Sequence, residues 1–157
     1  MNYLPLLHSR AAPMPASDLA KLEQLVGAPI PESYAEFLSQ SNGGSFRTNI
    51  VALPELGDDT VLNYMFSTTD TGYNIVRDYN TLRAMDRIPM QALPIADDPG
   101  GNLFLLSVEP GSYGAVFFWD HEREPEEGGS AIADFPNMSR LADDFVAFIG
   151  ALKNDQA

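Results

Sequence analysis

Apolar residues recur at helical spacing early in the chain, where Leu19, Leu22 and Val26 follow Ser17 and Asp18. A serine can accept from the free amides of a first turn, an aspartate suits its positive end, and Gly27 tolerates a left-handed closing residue. The pattern therefore predicts a helix from Ser17 to Val26. Ile30 and Pro31 open a second helix, since proline at a helix start forfeits no intrahelical bond. Tyr34, Phe37, Leu38 and Ser41 share one face, and Asn42-Gly43-Gly44 ends it. The first sixteen residues carry Pro5, Pro13 and Pro15 and hold no period. They are expected to form an arm, 1–16, that packs loosely or not at all ahead of one domain over 17–157.

From Ser45 the apolar period shortens. Asn49 to Leu53 and Val61 to Phe66 are rich in β-branched and aromatic residues and predict two strands, with Gly57, Asp58 and Asp59 in the turn between them. After Asp70-Thr71-Gly72, the residues Ile75, Val76, Tyr79 and Leu82 predict a middle helix over about 74–82. Leu93 to Ala96, Asn102 to Val108 and Ala115 to Asp120 follow as three strand-like runs joined by turn-rich segments, a β-meander. Leu103 and Leu105 alternate with Phe104 and Leu106, and Val116 and Phe118 with Phe117 and Trp119, so both sheet faces carry apolar groups and both need cover. Ile132 and Phe135 suggest a short edge strand. A closing helix capped by Asn137 or Ser139 carries Leu141, Phe145, Phe148, Ile149 and Leu152. The fold class is α+β: a mainly antiparallel sheet of about five to six strands, packed with an N-terminal helix pair, a middle helix and a C-terminal helix.

Composition narrows the chemistry. Apolar residues make up 45% and charged residues 20% of 157, the balance of a chain that folds alone. Without cysteine there is no disulfide framework, thiolate nucleophile or zinc–thiolate site, and a cytoplasmic setting is the simplest. The apolar run from Met1 to Leu7 is broken by Pro5 and has no basic flank, so neither a secretory signal nor a membrane span is expected. A formal charge of −13 repels phosphate backbones and anionic lipid, which argues against direct nucleic-acid or membrane partners and favours a basic protein.

Convergent catalytic groups are scarce. His8 lies in the arm, so His121 is the one histidine available to chemistry in the folded part. Asp120, His121 and Glu122 are adjacent, and neighbours on a strand point to opposite faces rather than to a shared metal. There is no G-x-S-x-G elbow, and Gly43-Gly44 and Gly100-Gly101 belong to no phosphate-binding pattern. Trp119, Phe117 and Phe118 read as core. No catalytic, cofactor-binding or metal-ligating residue is assigned.

Four segments in order resemble the SUKH superfamily of SMI/KNR-type domains. The first is Gly27-Ala28-Pro29-Ile30-Pro31-Glu32-Ser33-Tyr34-Ala35-Glu36-Phe37-Leu38 with Asn42-Gly43-Gly44, similar to a leucine-rich helix followed by L-P-x-x-Y-x-x-F-L and N-G-G. Ile30 stands where the family usually has leucine. The others are Leu93-Pro94-Ile95-Ala96 with Gly100-Gly101-Asn102, then Val116 to Glu122, then Leu141 to Ile149. Residues 47–87 show little that matches. The resemblance implies an immunity protein that binds and neutralises a cognate toxin effector with a basic surface, often a nuclease. The alternative it implies is a non-enzymatic regulatory scaffold. Partner contact is expected at three acidic loops, Asp58 and Asp59, Asp97 and Asp98, and Glu122, Glu124, Glu126 and Glu127, with Tyr73 and Tyr113 as aromatic anchors. In a meander, two reversals bring the Asp97 turn and the loop after Asp120 to one end of the sheet.

Overall fold

The structure, a computed structural model, describes residues 1–154; residues 155–157, the end of the expected domain, lie outside the described residues. Four α-helices and nine strands follow in the order β1 (Leu7–Arg10), α1 (Ala16–Val26), α2 (Glu32–Gln40), β2 (Gly44–Phe46), β3 (Ile50–Leu53), β4 (Asp58–Val61), β5 (Tyr64–Met65), α3 (Ile75–Ala84), β6 (Ala92–Asp97), β7 (Leu103–Ser107), β8 (Val116–Trp119), β9 (Met138–Ala142) and α4 (Phe145–Gly150). Seven strands form one antiparallel sheet in the order β1-β2-β5-β6-β7-β8-β9, and β3 and β4 form a separate ribbon. This is the α+β architecture read from the pattern, with one strand more in its main sheet than expected.

The N-terminal arm is the largest departure. Residues 1–16 are not loose: β1 pairs with β2, and Tyr3, fully buried, sits 5.5 Å from the Phe37 ring and 5.7 Å from that of Phe145. Prolines flanking a strand at a sheet edge break no ladder bond, so the missing period marks a short edge strand rather than disorder. Helix α1 starts at Ala16 with Pro15 at its cap position, so Ser17 does not cap it, while Gly27 closes it at φ 69° as expected.

The glycines of Asn42-Gly43-Gly44 do more than stop α2. A Cβ on Gly43 would lie 2.7 Å from the Met65 carbonyl oxygen, and one on Gly44 2.4 Å from that of Ser9. β2 is squeezed between β1 and β5, and only glycine permits that approach.

Two boundaries move. The run Val61–Phe66 divides at Leu62, so its first residue ends β4 in the ribbon while β5 joins the main sheet. Asp58 and Asp59 accordingly stand on strand β4, and the reversal before them is a 3-10 turn, Pro54–Leu56, closed by Gly57 at φ 63°. Ile132–Asp134 is also a 3-10 turn, not an edge strand. The strand that covers the edge of β8 is β9, from a segment assigned by its period to the closing helix. The open ladder of β8 supplies backbone partners that an isolated helical turn lacks. Helix α4 is therefore short, capped by Asp144, whose Oδ1 accepts from the Ala147 amide at 2.7 Å.

The chain covers both sheet faces itself. On one face Phe104 meets Phe118 at 5.7 Å and Phe148 of α4 at 5.6 Å. On the other, α3 packs on β6, and the segment after it lies over Trp119, whose Nε1 donates to the Arg87 carbonyl at 2.9 Å.

Candidate partner-binding site

Cross-strand register fixes where the acidic residues go. Asp97 opposes Leu103 and Leu103 opposes Trp119, so the turn after β6 and the loop after β8 emerge at one end of the sheet. The ribbon joins them there, because the Thr60 hydroxyl of β4 donates to Asp98 Oδ2 at 2.8 Å. Between these three segments lies a groove of about 240 Å³, lined by Asp58, Asp59 and Thr60 of β4, by Asp98 and Asn102 of the turn, and by Asp120, Glu122 and the cationic Arg123 of the loop. Leu53, Leu56 and Phe118 form its apolar part.

Its carboxylates are not equivalent. Asp98 is 5% exposed and takes part in no ion pair among the described residues. Its Oδ1 accepts from the amides of Gly100 and Asn102 at 2.9 and 2.8 Å, and its Oδ2 from the Thr60 hydroxyl and the Asn102 side-chain amide at 2.8 and 2.9 Å. Four donors stabilise the charge in place. Asp98, expected among the partner-contacting carboxylates, is the post that ties the ribbon to the sheet. Asp58, Asp59 and Glu122 are exposed. Asp59 has Lys153 at 3.8 Å, with both partners exposed so that screening leaves little pairing energy, and Asp120, largely buried, has the exposed Arg123 at 3.4 Å.

The remaining expected residues fall elsewhere. Asp97 is half-buried, and burial pushes its carboxyl above the usual range against the hydrogen bond donated by Asn63 Nδ2 at 3.1 Å. Tyr73 stacks on Tyr64 with ring centroids 4.4 Å apart. Glu124 is bound by Arg87 at 2.8 and 2.9 Å, and the Arg87 guanidinium lies 5.4 Å from the centre of the Trp119 ring. This pair removes Glu124 from the acidic edge. Glu126 lines a different hollow, with Met85, Asp86 and Phe135, and Glu127 is exposed. Tyr113 stands by the β7–β8 turn at the opposite end of the sheet, where its hydroxyl donates to the Pro29 carbonyl at 2.8 Å. It therefore shares no surface with the groove.

Sequence reasoning missed Asp120 and Asn102. Asp120 caps a 3-10 turn by accepting from the Glu122 amide at 3.0 Å, and an aspartate ending a strand is a residue type suited to such a cap. Asn102 joins two loops: its amide nitrogen serves Asp98, so its Oδ1 is the acceptor that faces His121 Nδ1 at 2.6 Å, and Nδ1 carries the proton. His121 is thereby held as a structural donor. Among the described residues, no group of three His, Cys, Asp or Glu side chains is arranged to hold a metal ion. No helix among them is long and apolar enough to cross a membrane.

The chain is 29% identical to the SPbeta prophage-derived uncharacterized protein YokK of Bacillus subtilis (strain 168), over 66% of this chain and 60% of that protein; it thus spans under two thirds of its relative's length. The model of the SMI1 / KNR4 family (SUKH-1) matches residues 13–151, from the end of the N-terminal segment through α4. A match over that span places the chain in the SMI1 / KNR4 family (SUKH-1).

Proposed function

We propose that this chain is an immunity protein, acting in the cytoplasm of the cell that makes it, which binds a basic toxin domain and blocks that domain's access to its substrate. The observation that carries the reading is the convergence of Asp58, Asp59, Asp120 and Glu122, from three separate segments, on one groove of a chain whose formal charge is −13. A toxin that acts on nucleic acid is basic where it meets its substrate, so an acidic groove with an apolar floor suits that face and competes for it. The prophage origin in the name of YokK fits a mobile-element setting. A non-enzymatic reading is consistent with the most buried carboxylate of the groove, Asp98, whose two oxygens are both engaged by structural donors.

The test is co-expression. The gene product encoded beside this chain is produced in a heterologous host alone, with the chain, and with an Asp58→Lys/Glu122→Lys form. Growth arrest relieved by the first form and not by the second is expected. Arrest that neither form relieves, with no complex on co-purification, would remove the immunity reading.

A further inference from the structure

One row of the main sheet carries an aromatic and carboxylate arrangement that the acidic groove does not use. Tyr64 opposes Asp97, Asp97 opposes Leu103, and Leu103 opposes Trp119. Directly opposed residues project on the same face with Cβ atoms about 4.5–5.5 Å apart, so these four side chains stand side by side. Tyr73 folds over the near end, its ring 20° from parallel to that of Tyr64 and 6.0 Å from Phe66.

At the far end of the row the molecule shows what such a face binds. Arg87 lies over the Trp119 ring and makes two hydrogen bonds to Glu124, so a guanidinium is held between an aromatic surface and a carboxylate. The near end has the same two components. Tyr64, Tyr73, Asp97 and Leu103 are each half-buried, and Asp97 takes part in no ion pair among the described residues. Its Oδ1 accepts from Asn63 Nδ2, a neutral donor that leaves the charge uncompensated. A planar, weakly hydrated guanidinium can stack on a ring and pair with a carboxylate at once, whereas an ammonium offers a point charge and no face.

We propose that the strip formed by Tyr73, Tyr64 and Asp97 seats an arginine side chain of the protein partner. The proposal rests on the reading of the partner as a basic protein and names the side chain that anchors it. Leu103, next in the row, packs along the aliphatic stem of that arginine.

Two end-blocked peptides of equal charge, six arginines and six lysines, serve as probes, with binding to the full chain followed by fluorescence anisotropy at low ionic strength. The arginine peptide is expected to bind about fivefold more tightly than the lysine peptide, the size of one cation–π contact at a half-exposed site. Asp97→Asn, which keeps the carbonyl that Asn63 serves, and Tyr73→Leu should each bring the ratio close to one, thermal melts confirming that both variants are folded. Asp58→Lys/Glu122→Lys should weaken both peptides and leave the ratio intact. A ratio near one for the unmodified chain, or a ratio that survives in folded Asp97→Asn, overturns the arginine seat while leaving the acidic groove standing. Failure of both peptides to bind overturns the basic-partner reading, and the seat with it.

Discussion

A carboxylate can be buried without a counter-ion when donors surround it, and Asp98 is held in this way by two backbone amides, one hydroxyl and one side-chain amide. Replacing it by alanine strips those donors of a charged acceptor, and Asp98→Ala is expected to cost about 2–3 kcal/mol, read from urea melts. In the sequence it stood beside Asp97 as half of an acidic pair. Three of its four donors lie only two and four residues further along the chain, in Gly100 and Asn102, but Thr60, which ties it to the ribbon, is 38 residues away. The neighbouring glycines divide as well. Gly101 sits at φ +89°, whereas a Cβ on Gly100 would meet only the Asp98 carboxylate and the Asn102 amide, at ordinary contact distances of 3.5–3.9 Å. Gly101→Val should therefore lose about 1 kcal/mol or more and Gly100→Ala much less, a contrast that thermal melts resolve. Asp97 contributes a pH dependence of definite sign. Its folded-state pKa lies above the ordinary value, so ionisation is harder in the folded chain. The resulting penalty is absent below the unfolded-state pKa of about 3.9 and grows as pH rises from there through the folded pKa. Asp97→Asn should be as stable as the parent or more so at neutral pH, with the difference shrinking on acidification. A variant less stable at neutral pH would show that the carboxylate is stabilised rather than strained by its site.

Elements were most legible where neighbours in sequence are neighbours in space. The meander β6-β7-β8, the helix pair and α3 all follow from local period and turn chemistry. The C-terminal region did not, because Leu141, Phe145 and Phe148 fall at helical spacing although Leu141 stands on a strand. What separates them is Asp143-Asp144, a cap signal placed at the middle of the apparent helix rather than its start. Asp144→Ala should cost about 1 kcal/mol by releasing the Ala147 amide, while Ser139→Ala, at the expected cap, should cost no more than an exchange on a half-buried strand. The loop from Glu122 to Glu127, expected to meet a partner as one acidic run, is divided by Arg87, which takes Glu124. Reversing Glu124 would place a lysine against Arg87, so a loss of binding in that variant would report a damaged loop as much as a lost contact. Asp58 and Glu122, exposed and away from that pair, are the informative positions.

Across the whole molecule, the sign of the charge was legible from composition, but its placement was not. Two of the three acidic segments share an end of the sheet because the meander reverses twice, and that much followed from strand order. The third, Asp58 and Asp59, arrives only because the β3–β4 ribbon leaves the main sheet and is tied back by Thr60. The internal ion pairs matter equally. Lys21, Arg77, Arg83, Arg87, Arg123, Arg140 and Lys153 each have a carboxylate within reach, and Arg10 and Arg47 lie on or beside the β1–β2 edge. Two of them meet the groove itself, Arg123 beside Asp120 and Lys153 beside Asp59, so Asp58 and Glu122 are the exposed groove carboxylates without an ion pair among the described residues. If their local field steers a basic partner, Asp58→Lys/Glu122→Lys should slow association at low salt by about tenfold or more and much less at high salt, since the Debye length shrinks from about 30 Å at 0.01 M to about 3 Å at 1 M. Glu32→Lys/Asp143→Lys changes the net charge by the same amount at exposed positions outside the groove lining, and it is expected to slow association only slightly. Stopped-flow association rates of both variants across a salt series separate local steering from net charge. Equal slowing in the two variants would mean that the total charge of −13, and not the groove, governs encounter.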